Sequence, residues 1–150
     1  MLRPVRKLLH DNLNAMRAAL GTLDPATVHI GLYTAIAGPP DHNRLMADIT
    51  EASYTGYARQ PVGSWTDAYD STTGLILLTA DNKHFTPNDA VTPNVIAGWF
   101  LATTLAGGLL LGIEPLAAPV PLSNADNTLT VEANFGFLPT GNFGEGTEIS

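Results

Sequence analysis

Between residues 90 and 113 no side chain carries a charge, and this stretch constrains the fold more than any other. It is long enough to cross a bilayer as a helix, which takes about 20 consecutive apolar residues. Three features favour another reading. Gly107-Gly108 divides the stretch, Pro93 and Pro115 stand near its ends, and no Lys or Arg flanks it to anchor or orient a span. Two strands, 95–103 and 109–114, joined by a tight Gly-Gly turn, account for the same residues. A continuous apolar run marks a strand buried on both faces, so Trp99 and Phe100 are expected on opposite sides of the sheet. Such a sheet needs cover on each side, from its own chain or from a neighbouring subunit.

The same punctuation runs through the chain from Ala26 onward. Short extended runs at 28–34, 45–51, 54–62, 74–79, 84–86 and 129–137 are separated by clusters of Gly, Pro, Asn and Asp, such as Pro39-Pro40-Asp41 and Pro87-Asn88-Asp89. With the central pair they make about eight short strands. The expected fold is therefore mainly β, a jelly roll or β-sandwich of antiparallel strands over residues 26–138, preceded by one N-terminal α-helix over 1–21. At 150 residues the chain makes one domain and can bury roughly 70% of its unfolded surface without disulfides or metal. Residues 139–150 hold Asn142-Phe143-Gly144, an echo of Asn134-Phe135-Gly136, and are too rich in glycine to form a core. They are expected to be extended or disordered, or to lie along a neighbour and anchor through Phe143.

The helix expected at the N-terminus is amphipathic. Leu2, Val5, Leu9, Leu13, Met16 and Leu20 recur at spacings of three and four, Pro4 suits a first turn and Gly21 a C-terminal cap. Charge divides the chain at the same place. Arg3, Arg6, Lys7 and Arg17 against Asp11 give the first twenty residues a net charge of +3, while the remainder carries −10. Arg3, Arg6 and Lys7 stand at the end where the helix dipole is already positive, which costs a few tenths of a kcal/mol per charge. Two readings follow. The helix packs on its own body with a solvated basic face, or it docks on an acidic surface through Arg3, Val5, Arg6, Lys7, Leu9, Leu13 and Met16, the candidate interface residues together with Phe143. A secretory signal is not expected, since His10, Asp11 and Asn12 follow Leu9 at once.

The charge balance also narrows the partners. A net charge of −7 with pI ≈ 4.7 opposes whole-domain binding to nucleic acid, which needs a concentrated basic face. Charged residues make up 14% of the chain, well below the average of about 25%, so part of the surface is expected to be covered by copies of itself or by a partner. Cysteine is absent, which excludes thiolate metal sites, cysteine nucleophiles and disulfides. No nucleotide-binding loop, nucleophile elbow or His-Glu-x-x-His motif occurs. The four histidines, His10, His29, His42 and His84, have no ligand spacing, and Asp67, Asp70, Asp81 and Asp89 read as turn residues. No catalytic residue, cofactor or metal is expected. Tyr54, Tyr57, Trp65 and Tyr69 could form a sugar-binding platform, yet Tyr54 and Tyr57 on opposite faces of one strand would more readily fill a core or interface.

Five strings bring a known class into view: Val28-His29-Ile30-Gly31-Leu32-Tyr33-Thr34, Leu45-Met46-Ala47-Asp48-Ile49-Thr50-Glu51-Ala52, Tyr54-Thr55-Gly56-Tyr57-Ala58-Arg59-Gln60, His84-Phe85-Thr86-Pro87 and Gly98-Trp99-Phe100-Leu101. In content and order they resemble elements of small virion proteins of tailed bacteriophages, across roughly residues 28–113. Their motifs are structural rather than catalytic. The resemblance implies a non-enzymatic jelly-roll decoration (cement) protein, made in the host cytoplasm and placed on the capsid surface. It further implies a homo-oligomer, a trimer, bound to the major capsid protein or another virion protein, with no nucleic acid and no membrane. A tail or fibre-associated protein is the alternative within virions. A carbohydrate-binding module is the alternative from another class.

Overall fold

The computed structural model describes residues 25–38, 44–69, 72, 76–88 and 94–137. Within them the protein is mainly β and antiparallel throughout. The strands are β1 (His29–Ile36), β2 (Ile49–Glu51), β3 (Gln60–Pro61), β4 (Thr66–Tyr69), β5 (Ile76–Thr79), β6 (Lys83–Phe85), β7 (Asn94–Ala102), β8 (Leu110–Leu122), β9 (Leu129–Val131) and β10 (Asn134–Phe137). The largest sheet runs β2-β1-β7-β8, with β3 pairing the same edge of β1 as β2; β10-β5-β4 and β6-β9 form two smaller sheets. The helix expected over 1–21 and the tail over 139–150 lie outside the described residues.

The uncharged stretch forms the expected hairpin. β7 and β8 pair antiparallel, and Gly107 and Gly108 turn the chain at φ of 66° and 80°, values that residues with a Cβ reach only with strain. No described helix is long and apolar enough to cross a membrane. β8 continues well past 114, and Leu116–Pro119 bulge out opposite Ala97 between the pairs Gly98↔Pro115 and Ile96↔Val120. Pro115, Pro119 and Pro121 are all exposed along this last strand of the sheet.

Three expectations are corrected. Residues 54–62 are not one strand: Gly56 takes φ 89° in a turn closed by the Tyr57 N–H bond to the Tyr54 carbonyl, and only Gln60–Pro61 pairs. Residues 45–51 open instead with a 3-10 turn at Met46–Asp48, because the Asp48 carboxylate accepts from the Leu45 N–H at 3.0 Å and bends the chain before β2. Residues 129–137 divide into β9 and β10, which join different sheets. With β4 added, the described strands number ten, against the eight or so expected.

The main core lies on one face of the large sheet. Val28, just before β1, Ile30 and Leu32 of β1 and Ile96 and Leu101 of β7 pack with Tyr54, Phe85, Leu122 and Val131. The other face carries a second apolar cluster of Tyr33, Phe100 and Ala102. Trp99 packs on the first cluster and Phe100 belongs to the second, so the central strands are buried on both sides, as the unbroken apolar run predicted. Two glycines make the second face possible. Gly31 pairs with Phe100 and Gly98 with Tyr33, and a Cβ on either glycine would collide with the ring of its cross-strand partner. Each ring therefore lies across a bare backbone.

Candidate functional site

β2 and β3 leave a break along the edge of β1 opposite Leu32. The Leu32 carbonyl accepts from Ala52 N–H at 3.0 Å, and its N–H donates to the Tyr57 hydroxyl at 3.0 Å. Tyr57 Oη in turn donates to Glu51 Oε1 at 2.7 Å. A side-chain hydroxyl thus completes a ladder that no strand reaches, which a buried backbone donor requires.

Arg59 extends this network to the tip of the β7–β8 hairpin. Its Nε and Nη2 grip the two carboxylate oxygens of Glu51, each at 2.8 Å. Its Nη1 donates to the carbonyls of Thr104 and Gly107 at 2.9 and 2.8 Å. The guanidinium also sits 5.0 Å from the centre of the Phe100 ring, within cation–π reach. Arg59 is only 4% exposed, and a planar fork with five donors is the side chain suited to such a site. The hydrogen bonds to Glu51 raise its pKa despite burial. Burial, and then the bond to Glu51, push the Tyr57 hydroxyl far above its ordinary value. The network therefore holds a charged guanidinium and a protonated phenol at every ordinary pH.

The loop that Arg59 holds is also braced from within. Thr103 N–H donates to Leu109 O, Leu109 N–H to Thr103 Oγ1 at 3.0 Å and Thr104 Oγ1 to Ala106 O at 2.7 Å. This rigid tip points two large apolar side chains outward, Leu105 at 58% and Leu109 at 57% exposure. An open cleft of about 540 Å³ runs beside it, bounded by Glu51, Ser53, Tyr57, Arg59 and Leu105. The arrangement presents an apolar tip in one conformation.

The other sequence candidates fall elsewhere. Arg3, Val5, Arg6, Lys7, Leu9, Leu13, Met16 and Phe143 lie outside the described residues, as do His10, His42, Asp70 and Asp89. His29 Nδ1 bonds the Thr27 carbonyl at 2.8 Å, and His84 Nδ1 the Thr130 hydroxyl at 2.9 Å, so each ring has its own local partner. Among the described residues no three of His, Cys, Asp or Glu gather as metal ligands. Tyr54 and Tyr57 do not stand on opposite faces of a strand: the turn at Gly56 brings their rings edge to face at 5.3 Å. Tyr57 also stacks on Phe85 at 6.3 Å, and half-buried Trp65 packs on the main core.

Neither Glu51 nor Arg59 was singled out from sequence as a functional residue. The available signal was isolation, for Arg59 is the one charged residue between Glu51 and Asp67, and a lone charge among apolar neighbours needs a partner when buried. No protein-family model matches the chain, and no curated protein matches it.

Proposed function

We propose that the protein is a non-enzymatic structural component of a phage virion, a capsid decoration (cement) protein with a jelly-roll body that binds the head shell as a homotrimer. The observation that carries this reading is the hairpin tip, where a nearly buried arginine fixes two outward-facing leucines. An apolar tip ordered before contact loses little conformational freedom on binding. Its reach is small. Burying a leucine side chain contributes at most about 1.5–3 kcal/mol, so one tip cannot hold a stable complex. Several tips on one oligomer, set against a repeating surface, multiply that modest contact through effective concentration. A particle shell supplies such a repeat. The low charge content and the resemblance of residues 28–113 to phage virion proteins support the same assignment.

The test is co-sedimentation with phage heads of the wild-type protein and of the Leu105→Ser/Leu109→Ser variant. Both positions are exposed, so the variant should melt with the wild type and yet lose particle association. Undiminished association would remove the tip from the interface. Antibody labelling of intact virions should mark the head shell; label confined to the tail would favour the tail or fibre assignment instead.

A further inference from the structure

β8 is the last strand of the large sheet, and among the described strands none lies along its outer edge. That edge is guarded unevenly. Pro115, Pro119 and Pro121 take three N–H groups out of its second part, a common protection of an exposed strand. Residues 110–113 hold neither proline nor charge, and all four are half-buried. Glu114 marks their end.

The ladder shows which backbone groups face outward. Leu32 of β1 turns its N–H to Tyr57 and its carbonyl to Ala52, both away from β7. In an antiparallel sheet hydrogen-bonded and non-hydrogen-bonded pairs alternate along each ladder. Leu32 pairs with Trp99, Trp99 with Glu114 and Phe100 with Ile113. Glu114 therefore bonds inward to β7, and Ile113 presents its N–H and carbonyl to the outside. Leu111 is the extra residue between the pairs Leu101↔Gly112 and Ala102↔Leu110, so it has no counterpart on β7. Leu109 is engaged: its carbonyl accepts from Thr103 N–H and its N–H donates to Thr103 Oγ1. The open stretch runs from 110 to 114, with Gly112 at its midpoint.

We propose that this stretch pairs antiparallel with the same stretch of a second copy, about a two-fold axis at Gly112. Register and charge select that occupant. Ile113 of each copy then faces Leu111 of the other, and each Pro115 falls outside the paired stretch. Each Glu114 stands opposite an uncharged Leu110. The two carboxylates lie four residues apart along the strands, about 14 Å, beyond the screening length of about 8 Å at physiological salt. Parallel pairing in register would instead set one Glu114 beside the other, where like charges repel. A strand alongside also covers the free sides of Leu111, which packs on the first cluster, and of Leu110 and Ile113, which pack on the second. Two-fold pairing uses up the edge in both copies and stops at two. The contact is independent of the virion assignment, and in a trimer it joins one trimer to the next.

The chain has no cysteine, so a single introduced thiol reports the contact. A Cβ at Gly112 meets nothing within 4 Å. The Cα atoms of a non-hydrogen-bonded antiparallel pair stand about 4.5 Å apart, within disulfide reach. Gly112→Cys should oxidise to a disulfide-linked dimer severalfold faster than Ala117→Cys, a site exposed on the same strand but about 34 Å from its mate in this pairing. Equal rates, or a Gly112→Cys protein that stays reduced, would overturn the proposal. Hydrogen exchange of the wild type needs no variant. The Ile113 amide should exchange severalfold more slowly in concentrated than in dilute protein, and a rate independent of concentration would exclude the pairing.

Discussion

Arg59 is the residue on which distant parts of the chain converge, since it bonds Glu51 and two carbonyls of the hairpin tip. Arg59→Ala would strand the carboxylate and both carbonyls. Because Glu51 keeps 29% side-chain exposure, water recovers part of the loss, and we expect a cost of about 2–3 kcal/mol rather than the full penalty for breaking a buried pair. For a chain of this length that lowers Tm by roughly 5–10 °C, measurable by calorimetry. Arg59→Lys should fall between, as an ammonium keeps the charge and loses the fork. The tyrosines give a separate pH test. Burial pushes Tyr54 up to about 12 and Tyr57 higher, whereas the unfolded phenols ionise near their ordinary value of 10. The folded state thus holds protons that the unfolded state releases. Stability from this source is complete below pH 10 and falls as pH rises further. The urea midpoint should stay level from pH 7 to 9 and decline above 10, and Tyr57→Phe should flatten that decline.

At the scale of elements, the paired glycines of β1 and β7 make a sharper test than any turn glycine. Gly31→Ala drives a methyl into the Phe100 ring, and Gly98→Ala meets both the Tyr33 ring and the backbone carbonyl of Glu114. Overpacking of this kind costs about 1–3 kcal/mol, with Gly98 at the upper end because a carbonyl cannot rotate away. Gly112 has open space around its added Cβ, so Gly112→Ala should change stability by less than about 0.5 kcal/mol. Urea denaturation of the three variants checks this order. These elements also show which parts of the fold were legible in sequence. The β7–β8 hairpin could be read because an uncharged run, a Gly-Gly turn and double-sided burial all speak locally. The segment 54–62 could not: Tyr, Thr and Val favour strands by propensity, but the direction of the chain is decided by Gly56 and by a Tyr57 hydroxyl that reaches Leu32, twenty-five positions away. The Glu51–Arg59–Thr104 network was hidden for the same reason, since two of its acceptors, Thr104 and Gly107, are backbone carbonyls that carry no residue signature.

For the molecule as a whole, the sequence argues for assembly and against a bound metal. Light scattering after size exclusion should find a homo-oligomer at micromolar concentration, and a stable monomer would count against the decoration role. EDTA should leave Tm unchanged, because a metal held only by the folded state would stabilise it in proportion to its binding. The proposed role, which would crowd many copies onto one surface, has a further consequence for β8. The last strand of an open sheet offers unpaired backbone donors and acceptors, and neighbouring molecules held side by side could splice there into one continuous ribbon, the start of a fibre. Pro115, Pro119 and Pro121 lack the N–H that such growth requires, and the bulge at Leu116–Pro119 breaks the straight register that it would copy. From Pro115 to Pro121 this border is closed to strand addition, so on the proposed shell copies could stand shoulder to shoulder there and remain separate folded bodies.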